Sequence, residues 1–103
     1  MDQISTTLKE RGGRYGSFED NAVVSQNLMA VIQTAPNYDK LSDMHVEIYH
    51  MIFHKIARSV CGDPFYIDNI HDIVGYATGL ENYLKELERA KNANNKSNPQ
   101  TTT

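Results

Sequence analysis

Between Val46 and Val60 the apolar residues Val46, Ile48, Tyr49, Met51, Ile52, Phe53, Ile56 and Val60 fall at nearly every angle around a helix of 3.6 residues per turn. A helix that is apolar almost all round belongs at the centre of a fold, with other elements laid against it. Ser42 supplies its N-cap, and Cys61-Gly62-Asp63-Pro64 ends it: Gly62 suits the position after a helix, and Pro64 forbids continuation.

Two further helices are expected as its cover. Ser17, followed by Glu19 and Asp20, caps a helix whose Val24, Leu28, Val31, Ile32 and Ala35 share helical spacing until Pro36-Asn37 breaks it. The third begins near Ile67 and carries Ile70, Val74, Ala77, Leu80, Leu84 and Leu87 along one stripe to about Ala90. No segment alternates with period two, so the fold class is all-α: a small bundle of three helices at about 17–35, 42–61 and 67–90. Before it, residues 1–16 hold a helical turn at Ile4 and Leu8 and then Gly12, Gly13 and Gly16, glycines dense enough to stop any helix there. After it, residues 91–103 are mostly Asn, Thr, Lys, Ser, Pro and Gln and are expected to stay disordered. A chain of 103 residues then has room for one core.

The single cysteine, Cys61, excludes an internal disulfide and points to a reducing compartment, the cytoplasm. No apolar run approaches the roughly 20 residues that span a bilayer, so no membrane partner is expected. Net charge is −3, and leaving out Lys91 and Lys96 of the tail makes it −5, which argues against binding to DNA.

Polar residues on the two later helices form the main candidate site. Lys55 and Arg58 lie three apart on an element that otherwise reads as buried, and a buried cation needs a partner or a ligand. Asp68 and Asp72, at the start of the next helix, sit opposite them across the turn. The four can be a structural ion-pair network or the floor of a ligand pocket. Gly75 and Gly79 continue that side, and each costs roughly 1 kcal/mol relative to alanine inside a helix, so something should approach them closely. Arg11-Gly-Gly-Arg14-Tyr15-Gly16 offers two cations and flexible amides before a helix start, either a phosphate cradle or a plain connector. Tyr15, Tyr66 and Tyr76 could stack on a base or simply edge the core. Glu47, His50 and His54 share a face with a metal-like spacing, but without further ligands they read as ordinary surface or core-edge residues. Cys61 lies at a helix C-terminus, where the dipole disfavours a thiolate nucleophile.

The succession Arg11-Gly-Gly-Arg14-Tyr15-Gly-Ser-Phe-Glu-Asp-Asn21, Lys55-Ile-Ala-Arg58 and Asp68-Asn-Ile-His-Asp72-Ile-Val-Gly75-Tyr76-Ala77 resembles a family of small bacteriophage and prophage proteins. In these an R-x-x-Y-G-x-F element, a K-x-x-R helix and a D-x-x-x-D-x-x-G-Y-A helix follow one another. More distantly, Asp72-Ile-Val-Gly75-Tyr76 is similar to the acidic helix of the all-α nucleoside triphosphate pyrophosphohydrolases related to MazG and the dimeric dUTPases. That resemblance implies a nucleotide and Mg²⁺, with Asp68, Asp72 and Glu47 as metal or cation-orienting residues, Arg11, Arg14, Lys55 and Arg58 on phosphates, and Tyr15 or Tyr76 on the base. Beyond Asp43 at its N-terminus Glu47 is the only acid on the partner helix, and Lys55 and Arg58 stand where further acids are wanted, so binding without hydrolysis is the expectation. The alternative is a non-enzymatic interaction module that binds a host or viral protein, or associates with itself as a dimer or higher oligomer through the third helix, at Leu80, Tyr83, Leu84 and Leu87.

Overall fold

The computed structural model describes residues 13–97. The architecture is all-α, as expected: α1 (Phe18–Ile32), a 3₁₀ turn (Tyr38–Lys40), α2 (Asp43–Cys61) and α3 (Ile67–Ser97) follow in order. Both predicted N-caps form. The Ser17 hydroxyl accepts the Asp20 N–H at 3.1 Å. Ser42 accepts the His45 N–H at 3.2 Å, while His45 Nδ1 accepts the Ser42 N–H at 3.2 Å, so histidine fills the capping-box position usually held by Glu or Gln.

Three boundaries differ from expectation. The helix expected over 17–35 ends at Ile32, because Thr34 and Ala35 tighten into turns on the Val31 and Ile32 carbonyls. At the N-terminal side Gly13–Tyr15 are helical, and the break falls only at Gly16, whose φ of 76° few other residues adopt. At the C-terminal side α3 runs on to Ser97, so residues 91–97, expected to be disordered, are helical. No glycine or proline intervenes between Gly79 and Pro99, and lengthening an existing helix is far easier than nucleating one. Ion pairs Lys85–Glu81 and Arg89–Glu86 brace the turns that precede the extension. The turn expected at Ile4 and Leu8, and residues 98–103, lie outside the described residues.

The central place expected for α2 is observed: α1 and α3 both pack on it. His50 reaches Gln26 of α1 at 3.4 Å, and Lys55 reaches Asp72 of α3 at 2.9 Å. Those two positions are five residues apart, about 140° around a helix. The three helices therefore form a layer with α2 in the middle, and α2 keeps two arcs that neither neighbouring helix takes. One carries Glu47, His54 and Arg58; the other, wider arc carries Tyr49, Ile52, Phe53, Ile56 and Val60.

A layer buries little by itself. Among the described residues the buried apolar side chains are Met29, Ile48, Ala57 and Leu80, whereas eleven large hydrophobic residues stay exposed. Asn21, Ser25 and Asn69 are also buried, placing polar side chains in the interior of this small fold.

Candidate functional site

The five residues between α2 and α3 set the site. Asp63 Oδ1 accepts the Phe65 N–H at 2.9 Å and the Asp63 carbonyl accepts the Tyr66 N–H at 3.1 Å, a tight turn that makes the two helices antiparallel neighbours. Gly62 caps α2 by donating its N–H to the Arg58 carbonyl at 3.0 Å. Its φ of −111° is not the left-handed conformation that favours glycine after a helix, so that conformation is not the reason for glycine here. The reason is contact: a Cβ on Gly62 would stand 2.4 Å from the Arg14 carbonyl oxygen and 2.6 Å from the Tyr15 carbonyl carbon. Gly16 meets the same junction from the other chain segment, its Cβ position 2.7 Å from the Cys61 oxygen. The two backbones touch, and the Asp63 N–H donates to the Arg14 carbonyl at 3.1 Å.

This docking lays the Arg14-Tyr15 segment over the end of α2. Asn21 holds it from α1, its Nδ2 donating to the Tyr15 carbonyl at 2.7 Å. The Arg58 guanidinium lies 4.8 Å from the Tyr15 ring centre. Tyr15 meets Tyr66 edge to face at 5.7 Å, and Arg14 lies 5.5 Å from the Tyr66 ring centre. Beyond Tyr66, its hydroxyl donates to Asp68 Oδ2 at 2.9 Å. That bond, and after it the contact with Tyr15, pushes the Tyr66 hydroxyl pKa above 10.0.

Lys55 pairs instead with Asp72, its side chain 13% exposed against 44% for the aspartate. The Lys55 hydrogen bond, with the Lys55 charge adding to it, holds the Asp72 carboxyl below 3.8 against a smaller opposing effect of desolvation. On the same arc of α2, burial, followed by the charges of Arg58 and Lys55, holds His54 below 6.5.

The predicted residues thus divide. Arg14, Tyr15, Arg58 and Asp68 come together through Tyr66, while Lys55 and Asp72 form a separate pair. Tyr76 lines a shallow groove of about 380 Å³ with His71, Asp72 and Gly75. Glu47 is exposed near the start of α2, and Arg11 lies outside the described residues. Among the described residues no three His, Cys, Asp or Glu side chains are grouped so as to hold a metal ion, and this covers both the Asp68, Asp72, Glu47 set and the Glu47, His50, His54 set. The close approach expected at Gly75 and Gly79 is absent among the described residues: a Cβ at either would meet nothing within 4 Å.

Sequence reasoning missed the backbone contact between Gly16, Gly62 and residues 14, 15 and 61, and it missed Tyr66 as the link between Tyr15 and Asp68. The available signal was the glycine following Cys61, which also serves as an ordinary helix terminator and so attracted that simpler reading. Asn21 and Asn69 gave no signal, because asparagine on a helix reads as solvated.

No helix among the described residues is long and apolar enough to cross a membrane. No family model, curated protein or solved structure matches the chain.

Proposed function

We propose that this protein is a non-enzymatic helical interaction module that works in association with further copies of itself. One observation supports the reading most: four apolar side chains are buried among the described residues while eleven large ones are exposed. Part of that exposed surface, Val60 on α2 and Leu84 on α3, lies on one side of the layer, and a contiguous apolar side is characteristic of a protein that meets a protein partner, while a chain this small gains core by association. The polar residues fit the same reading. Arg58 and Arg14 stack on tyrosines, Asp68 accepts from Tyr66, and Asp72 pairs with Lys55, so each serves to join the N-terminal segment, α2 and α3.

Sedimentation equilibrium across a hundredfold range of concentration tests it. A dimer or larger species is expected, and a strict monomer throughout would overturn it.

The groove beside Tyr76 supports a second reading, a pocket for a nucleotide or another phosphorylated small molecule, because Lys55 stands next to it through Asp72. Calorimetric titration with a nucleotide panel, with and without Mg²⁺, tests that reading, and silence across the panel removes it.

A further inference from the structure

The helical layer has one apolar side, and its relief is specific. Between α1, the 3₁₀ turn and α2 lies a hollow of about 490 Å³ bounded by Ile32, Tyr38, Leu41 and Phe53. Between α2 and α3 lies another of about 350 Å³, bounded by Ala77, Leu80 and Leu84. Tyr49 and Ile52 border both hollows, so the two flank a single ridge that runs along the uncovered wide arc of α2. We infer that this side is the contact between two copies of the chain, ridge set into hollow about a two-fold axis, giving two stacked layers of three helices. The inference rests on the self-association proposed above and names its surface.

Three observations favour a second copy as the occupant. The first is architectural: domains are built of two packed layers around a core, and this chain supplies one layer with an apolar side. The second is area. Three helices about 9 Å apart along the roughly 28 Å of α2 present roughly 750 Å², close to the roughly 800 Å² per partner that a stable interface takes. The third is charge. The α3 edge of the second hollow carries Glu81, Lys85 and Glu88, alternating in sign. Lys85 pairs with Glu81 within the edge at 3.8 Å and leaves Glu88 over, and an identical edge brought round by a two-fold axis offers that acid a cation, which a purely acidic surface does not. The ridge and hollows also interdigitate as helix surfaces do, side-chain rows into grooves.

The test places a charge in the surface and reads association by sedimentation. Leu84 is 39% exposed, so Leu84→Glu leaves the single chain foldable. Ile52→Glu strikes the ridge itself. Val23, on the side of α1 turned about 160° from buried Ser25, takes the same substitution as a control. Both Leu84→Glu and Ile52→Glu should weaken association at least about 30-fold with helicity unchanged, and Val23→Glu should leave it intact. A wild-type protein that associates while Leu84→Glu associates equally well overturns the assigned surface and leaves self-association standing. A wild-type protein that never associates overturns both. Should Ile52→Glu unfold, isotope-filtered NOEs in an equal mixture of labelled and unlabelled wild-type protein replace it. Intermolecular contacts at the Ile52 and Leu84 methyls are expected, and contacts confined to Val23 would overturn the inference.

Discussion

Glycine to alanine at position 62 and at position 75 should move stability in opposite directions, and the structure gives both magnitudes. Gly62 has a negative φ of −111°, outside the left-handed region, so the cost of Gly62→Ala is worked from the contact it would make. The new Cβ would lie 2.4 to 2.6 Å from backbone atoms of Arg14 and Tyr15, which cannot rotate away as a side-chain tip can. Two responses are open to the chain. Forcing the methyl into place is overpacking, about 1–3 kcal/mol. Releasing the N-terminal segment forfeits the Asp63–Arg14 and Asn21–Tyr15 hydrogen bonds, about 1 kcal/mol each, and two arginine–tyrosine contacts at about 0.5–1 kcal/mol each. Whichever response is cheaper sets the cost, about 1–3 kcal/mol. In a domain of this size that lowers the melting temperature by roughly 4–24 °C. Gly75 lies mid-helix with nothing within 4 Å of its Cβ position. Gly75→Ala there should stabilise by about 1 kcal/mol, raising the melting temperature by roughly 4–8 °C. Circular-dichroism melts of the two variants and wild type, all at one protein concentration because association shifts apparent stability, decide the matter. A Gly62→Ala protein that melts within about 2 °C of wild type, well under the change for 1 kcal/mol, would refute the claim that two backbones meet at this glycine.

Other consequences are smaller. Ser42→Ala removes the oxygen that accepts the His45 N–H and should cost about 1 kcal/mol in urea unfolding, and an unchanged midpoint would show the cap to be idle. In a Lys55→Met, Asp72→Asn double-mutant cycle the two residues should couple favourably at low salt and lose most of that coupling in 1 M NaCl, because the aspartate is 44% exposed. Coupling that persists in salt would mean a drier pair than the one observed. Acid should destabilise the fold in two stages. His54 binds its proton less readily when folded than at the ordinary 6.5, so stability falls as pH drops from about 6.5 through its folded pKa. Asp72 contributes above 3.8, and that contribution is lost as pH falls through its lower folded value. Urea midpoints measured from pH 7.5 to pH 3 should decline throughout, and His54→Gln should flatten the upper stage; a midpoint that rises between pH 7 and pH 5 would contradict the assignment.

The helices were legible because their ends are chemical. Ser17 and Ser42 accept backbone N–H groups at the positions where hydroxyl side chains are needed, and Asp63-Pro64 turns the chain. The end of α3 was not legible, since its last turns contain residues common in disordered tails, and helix there follows from continuity with what precedes it rather than from composition. Within the site, the opposed charges on α2 and α3 were legible as neighbours, yet their pairing was not. Lys55 meets Asp72, but Arg58 turns to Tyr15 because the N-terminal segment arrives over the last turn of α2. That arrival depends on a contact between backbones at Gly16 and Gly62, and hydrophobic periodicity does not register such contacts.

Burial shows the deeper limit. The spacing from Val46 to Val60 states which sides of α2 must be kept from water, and it is silent on which chain does so. His50 and Lys55 show two sides taken by α1 and α3. Tyr49, Ile52 and Phe53 are half-buried on a third, and Val60 on the same arc is 63% exposed. Fully burying an exposed side chain of this kind is worth about 1.5–3 kcal/mol, and completing the burial of these four, about half of that each, is still a sizeable fraction of the 5–15 kcal/mol by which folded domains are stable at all. The residues that make α2 the centre of the fold therefore also make the single layer incomplete, and the proposed second copy supplies the cover that the chain's own length does not.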